Sequence, residues 1–424
     1  MHKKFIPIII LSLVIIKGEV NMDAELANVK VDRLQKMLPK ILQEKNIDCW
    51  LNFTREGATD PLLPHLGSNH MVARAALIFS FDNDGNYHRI AIAASYDVSP
   101  LIDSGIYDEV IAYKQEGVKP HLQRIIREFD PQTIAINRSR DSAIADGLTT
   151  GLFDYLEESL PEYKERFMSS EALIISLFSR KMPVEIKALR TAVEITQLII
   201  TEAFSSTVIK PGLTTEMDVA NYMRKRGEQL GVIESCMNIV VGPMRGHGGP
   251  TNRVIQHGDI IRADICFQYN GYNSDIQRTA YILKEGEEEA PDFVNKYWQD
   301  CKDANMAALD AIKPGVMAIK SDTAGRTLLV NRGYTEQPFG SGHPIGGKVH
   351  DIGPLPAPDW PERYGSLSFF PYEPGMTLAI EPAVIIDDER LGGEVNIGLE
   401  EDILVTEEGY EVLGSLQNAL WVIK

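Results

Sequence analysis

Hydrophobic positions along this chain follow two periods, one helical and one of strand type. Near the start, Leu34, Leu38, Ile41 and Leu42 fall at helical spacing, with Pro39 expected to kink the run. Short apolar strands are predicted at Trp50–Phe53, Ala76–Phe81, Arg89–Ala94 and Thr133–Asn137. They alternate with helix-like stretches such as Ala145–Leu160, so residues 22–180 read as an α/β domain. A second region begins with a helix over Val184–Ser206, whose Ile186, Leu189, Val193, Ile199 and Phe204 share one face. It ends at Ile209-Lys210-Pro211-Gly212, and a further helix follows with Thr215 as N-cap and Asp218 three residues later. About a hundred residues on, a helix over Ala290–Ala311 ends in Ile312-Lys313-Pro314-Gly315, again followed by a helix and strands. The repeat points to a duplicated α/β unit, whose two halves would face each other across a cleft.

The densest chemistry lies in GDIIRADICFQYNGYNSDIQRTAYIL, residues 258–283. Two runs rich in β-branched and aromatic residues flank Asn270-Gly271, a strong signal for a two-residue hairpin. That turn sets Asp264 opposite Gln277, with Asp275 one diagonal step away on the same face; a bulge shifting the register would put the aspartates directly opposite. Either way the carboxylates lie about 5–8 Å apart at Cβ. Two such charges repel by about 4 kcal/mol at an effective dielectric near 20. Apolar strands hold such a pair only with a proton or a cation between them, and a metal is the better reading.

Composition narrows the alternatives. The 424 residues, 44% of them hydrophobic, suffice for two packed domains. A net charge of −18 makes a poor surface for nucleic acid or anionic lipid. The first residues, MHKKFIPIIILSLVIIKG, have the basic start and apolar run of a secretory signal, although no A-x-A cleavage site follows. Residues 1–21 are thus expected to direct export to the periplasm or medium. Translation from Met22 is the alternative, and would leave a cytoplasmic protein. No later segment would insert stably in a membrane. Cys49, Cys236, Cys266 and Cys301 are widely spaced, so no disulfide is expected, and Cys266 reads as a buried thiol sharing a strand face with Asp264.

The second half adds His343 in FGSGHPIGGKVHDIG, Glu381 in PGMTLAIEPAVI and Glu400 in GLEEDILVTEEGYEVL. With Asp264 and Asp275 these make an oxygen-rich set of two Asp, two Glu and one His, suited to Mn²⁺, Co²⁺ or Zn²⁺. Four carboxylates balance two divalent ions.

In order and motif this set resembles that of the creatinase/aminopeptidase P/methionine aminopeptidase superfamily of pita-bread metallopeptidases. The resemblance implies an α+β fold: a pita-bread catalytic domain over residues 183–424, its duplicated halves around a curved antiparallel sheet, after a creatinase-type α/β domain at 22–180. It implies metal ligands at Asp264, Asp275, His343, Glu381 and Glu400, the last chosen over Glu401 because it stands six residues before Thr406. It implies two divalent ions, Mn²⁺ first, that share a water and lower its pKa toward neutrality. Glu381 would carry the proton and His350 would stabilise the oxyanion. His247, seventeen residues before Asp264, would contact the substrate. The implied reaction is hydrolysis of the N-terminal peptide bond, of Xaa-Pro type, in a homodimer or higher homo-oligomer. A dipeptidase or general aminopeptidase with the same centre is the alternative, with a metal-free creatinase-like hydrolase or binding module behind it. Two positions depart from the proline-directed pattern: Gly398 stands where an arginine usually precedes the last glutamate by two, and Phe339 stands where a histidine is often found.

Overall fold

The computed structural model describes residues 22–424 apart from Met244 and His247. The leader segment and His247 therefore lie outside the described residues. The chain forms two compact units, one ending at Leu177 and the other running from Phe178 to Lys424.

The first unit is built on a six-stranded sheet: β1 (Cys49–Thr54), β2 (Ala75–Phe81), β3 (Tyr87–Ala94), β4 (Glu109–Tyr113), β5 (Ile134–Ile136) and β6 (Phe167–Ser169), in spatial order 4-3-2-1-5-6. β1 to β3 pair antiparallel, while the β3–β4, β1–β5 and β5–β6 pairs are parallel. Helices Val118–Phe129 and Thr150–Ser159 pack Leu122, Ile126, Leu152 and Leu156 against Leu51 and Ile78. β1 is buried throughout, as a central strand covered on both faces must be, and its largely apolar sequence, interrupted only by Asn52 before Phe53, made it readable. β4 and β6 were not anticipated. Both are partly exposed edge strands, and β6 is only three residues long. The helix expected from Ala145 starts at Thr150 because Thr149 caps it, its hydroxyl accepting from the Leu152 amide. Pro39 lies inside a continuous helical stretch, Val29–Glu44, directly after a π-helical turn at Arg33–Met37, a local widening of the helix at the residues preceding the proline.

The second unit begins with helices Pro183–Ala203 and Glu216–Leu230, the latter closed by a capping box between Thr215 and Asp218. Helices Asp292–Asp310 and Ile319–Asn331 form the second pair. The two IKPG turns match in detail. Gly212 and Gly315 have φ near +80°, and each donates its amide to a distant carbonyl, that of Ile255 or Tyr372. A left-handed residue that closes a helical turn favours glycine, which is why the motif recurs.

Each half also contributes a long hairpin. β7 (Ile233–Val241), β8 (Ile260–Tyr269), β9 (Tyr272–Asn273) and β10 (Ile276–Ile282) carry the first. Asn270 and Gly271 both have positive φ, as a type I′ turn requires, and Asp264 pairs with Gln277, the register of the two-residue turn. Short β11 (Gly342–Pro344) precedes the second hairpin, in which β12 (Thr377–Ile380) and β13 (Ala383–Asp388) run antiparallel to β14 (Gly393–Gly398) and β15 (Glu401–Val405). β12 pairs with β15 and β13 with β14 in one continuous register, broken only at Glu381-Pro382 opposite Leu399-Glu400. Proline has no amide for the ladder, so the break falls there. β16 (Tyr410–Val412) extends the sheet of β11, β12 and β15, and β17 (Trp421–Ile423) pairs with β10.

One expectation is overturned. Cys236 and Cys266 are not separate thiols: they form a disulfide, with Cα atoms 4.7 Å apart. β7 sets Cys236 directly opposite Cys266, a pairing between residues thirty apart that no short-range sequence signal reveals. Cys49 and Cys301 are buried free thiols. Closing a loop of that length is worth about 3–4 kcal/mol of stability in the chain-entropy account. Treatment with dithiothreitol should therefore lower the urea midpoint of the second unit by a corresponding amount, and the Cys236→Ala variant should show no further loss on reduction.

Candidate metal centre

Strand alternation assembles the site. Asp264 on β8, Gln277 opposite it on β10 and Asn238 opposite it on β7 share one face. Continued by two residues, the same face carries Asp275 with the Cys236–Cys266 bridge; the Cys266 Sγ lies 3.3 Å from Asp275 Oδ1. Continued the other way, it carries Arg262. His343 on β11 approaches from the other half, its Nε2 3.3 Å from Asp275 Oδ2, 3.8 Å from Glu381 Oε1 and 3.9 Å from Glu400 Oε1. Asp275, His343 and Glu400 bring one potential ligand atom each within 4.8 Å of one another. Glu381 and Glu400 face each other at the break in the second hairpin. Asp264 lines the same cavity as His343, His350 and Glu381, a space of about 560 Å³.

The electrostatics are those of crowded carboxylates. Burial lifts Asp275 well above the usual carboxylate range, with the Asp264 charge and contact adding to it. Glu400 is raised well above its ordinary value by burial, then by Asp275, Glu381 and Asp264. Glu381 is pushed up to about 8, chiefly by removal from water, although His343 and Arg262 pull the other way. Glu400 is only 1% exposed, yet its Oε2 has no hydrogen-bond partner. Buried acceptors left so are costly, and a divalent cation answers both the orphaned oxygen and the repulsion. His343 donates Nδ1–H to the Pro344 carbonyl at 3.2 Å, which leaves Nε2 as a ligand atom. These residues fit a hard divalent cation.

A second layer, not anticipated from the sequence, holds the ligands in place. Asp402 is fully buried, accepts the Asp275 amide at 2.8 Å, and is itself raised well above its usual range by burial. It stands two residues after Glu400, and this alternation was visible in Glu400-Glu401-Asp402. Glu401 points elsewhere, into a buried pair with Arg278 at 2.9 Å, while Arg278 also donates to the Glu400 carbonyl at 2.6 Å. Asn305, buried on helix Asp292–Asp310, donates to the carbonyls of Ile380 (2.8 Å) and Leu399 (3.2 Å), the residues just before Glu381 and Glu400. No sequence signal marked this asparagine, since its partners lie 75 and 94 residues away. His350 packs its ring 4.3 Å from that of His343. Its loop is pinned at Asn273, whose side chain donates to the Gly346 and Gly347 carbonyls, and by Lys181, which pairs with Asp351 at 2.9 Å. His247 falls outside the described residues, though its neighbour Gly246 lines the cavity.

Comparison with known proteins gives this arrangement its family. The model of metallopeptidase family M24 matches residues 187–407, and the chain belongs to that family. An uncharacterized peptidase of Staphylococcus aureus (strain USA300) is 30% identical over 254 residues, 58% of this chain and 66% of that protein. The uncharacterized peptidase YqhT of Bacillus subtilis is 30% identical over 54% of this chain and 60% of its own. The matched part is thus under two thirds of either relative. Solved structures align over nearly the whole chain. A Xaa-Pro dipeptidase from Bacillus anthracis has a TM-score of 0.61 at 23% identity, covering 93% of this chain and 99% of that one. The dipeptidase PepE of Mycobacterium ulcerans has a TM-score of 0.65 at 20% identity, covering 93% and 98%. At these identities the likeness carries the fold, which is the pita-bread α+β fold with its amino-terminal domain.

Two outcomes follow from this site. Carboxyls raised in the folded state hold protons that the unfolded chain has released, so they withdraw stability as pH rises. Metal-free protein should lose thermal stability between pH about 4.5 and about 8, the ordinary and raised values of Glu381. Added Mn²⁺ should raise the melting temperature far more at pH 8 than at pH 5; an equal rise at both would contradict the charge account. Asn305→Leu should cost about 1–3 kcal/mol of stability, the usual penalty for orphaned buried carbonyls, and should weaken metal binding measured by calorimetry.

Proposed function

We propose that this protein is a dinuclear-metal-dependent exopeptidase that hydrolyses the N-terminal peptide bond of peptides with proline after the scissile bond. The observation that carries this reading is the convergence of Asp275, His343 and Glu400 within 4.8 Å, beside Asp264 and Glu381 at a cavity large enough for a short peptide. Asp264, Asp275, His343, Glu381 and Glu400 would hold the metals. Asp275 and Glu400, the most buried carboxylates of the set, would serve both ions. When bound, the metals supply an activated water and a Lewis acid for the carbonyl oxygen.

The protein's own groups then have separable tasks. Glu381, at the cavity, takes a proton at its carboxylate and passes it to the leaving nitrogen. A prolyl nitrogen has no hydrogen of its own, so this delivery is required. His350, on the cavity wall against His343, faces the developing oxyanion and steadies it. His247 contacts the substrate from the glycine-rich segment. The structural neighbours include a Xaa-Pro dipeptidase and a prolidase, and this likeness supports the proline preference.

Mn²⁺-loaded protein beginning at Met22 should cleave Arg-Pro-Pro and leave Arg-Ala-Ala largely intact. Equal or faster cleavage of the alanine peptide would remove the proline label and keep the peptidase. Asp275→Asn and Glu400→Gln should each lose bound metal and turnover together, whereas His350→Ala should keep its metal and lose mainly kcat. A metal-depleted His350→Ala protein would sink that separation of roles.

A further inference from the structure

The two departures from the proline-directed pattern have a structural counterpart in the cavity. A Cβ on Gly398 would lie 1.3 Å from Gln277 Oε1, so the glutamine side chain fills the space that an arginine at 398 would need. The positive charge missing there stands elsewhere. Arg262 lies two residues before Asp264 on β8 and shares its face, about 7 Å along the strand. It is 93% buried by its 7% exposure, and it lines the cavity beside Asp264, Gln277 and Asn396. Among the described residues its guanidinium makes no hydrogen bond or ion pair. A buried guanidinium without a carboxylate is costly, and five donors in a fork match a carboxylate in geometry.

The metal ligands do not need that charge. Asp264, Asp275, Glu381 and Glu400 already balance two divalent ions. Gln277 and Asn396 flank the arginine with side-chain amides whose buried oxygens have no partner. Arg363, the other arginine on the cavity wall, is engaged: it donates to the Pro338 carbonyl and lies over the Tyr364 ring.

We propose that Arg262, flanked by Gln277 and Asn396, binds the free α-carboxylate of the residue that follows the scissile bond, so that dipeptides are the preferred substrates. This rests on the peptidase reading of the same site. The spacing agrees. A scissile carbonyl at the metals places the next α-carboxylate about one residue length away, roughly 3.5 Å, which an arginine rooted 7 Å from Asp264 spans. A longer peptide would bring an uncharged amide to the guanidinium.

The test compares Ala-Pro with Ala-Pro amide in two assays. In hydrolysis by Mn²⁺-loaded protein, kcat/KM for Ala-Pro should exceed that for the amide at least tenfold, mainly through KM. That ratio should collapse in Arg262→Met, recover partly in Arg262→Lys, and persist in Arg363→Met. In calorimetric titration of the Mn²⁺-loaded His350→Ala variant, which keeps its metal and loses turnover, Ala-Pro should bind at least tenfold tighter than the amide. Equal rates and equal affinities for the two ligands would overturn the subsite while leaving the peptidase in place. So would no measurable binding of either, or a preference that follows Arg363 instead. Discrimination in binding with no hydrolysis of any peptide would keep the subsite and remove the peptidase. The acid-to-amide comparison uses the native side chain at 262, so it stands even if Arg262→Met fails to fold.

Discussion

Mutual repulsion of carboxylates sets the terms for the second unit. Asp264, Asp275, Glu381, Glu400 and Asp402 approach one another on sheet faces that are otherwise apolar, and each close pair opposes folding by about 4 kcal/mol at an effective dielectric near 20. Two antiparallel hairpins, one from each half of the duplicated unit, supply the aspartates and the glutamates separately. Each hairpin brings one such pair. The full repulsion arises only when the halves close, which is also when the site becomes able to hold cations.

That division explains which parts could be read from the sequence. Local signals gave the first hairpin, its type I′ turn and the pairing of Asp264 with Gln277, because two residues of turn chemistry fix a register. Glu381, Glu400 and His343 were singled out through motif order alone. Strand periodicity would have added Asp402, two positions past Glu400. Asn305, Arg278 and the Cys236–Cys266 bridge act across long stretches of chain, and their significance depends on which strand lies beside which. Residues of that kind look ordinary in sequence: a helix asparagine, a strand arginine, two isolated cysteines.

The departures at Gly398 and Gln277 show how a change at one position reorganises its neighbours. The absence of a side chain at 398 is not empty space, since a glutamine occupies it. Read from sequence, the glycine signified only a lost arginine. In the folded protein it is one half of an exchange whose other half lies on the facing strand, with a buried cation two rungs along.

Asn305 gives the site a mechanical property. Its single amide nitrogen serves both Ile380 and Leu399, on opposite sides of the break in the second hairpin. A shift of that helix therefore acts on both strand ends through one atom, and the positions of Glu381 and Glu400 are referred to the same point. The helix works as a gauge block: the spacing between two ligands is held by one common reference, and slow drift elsewhere in the fold moves the pair without changing the gap between them.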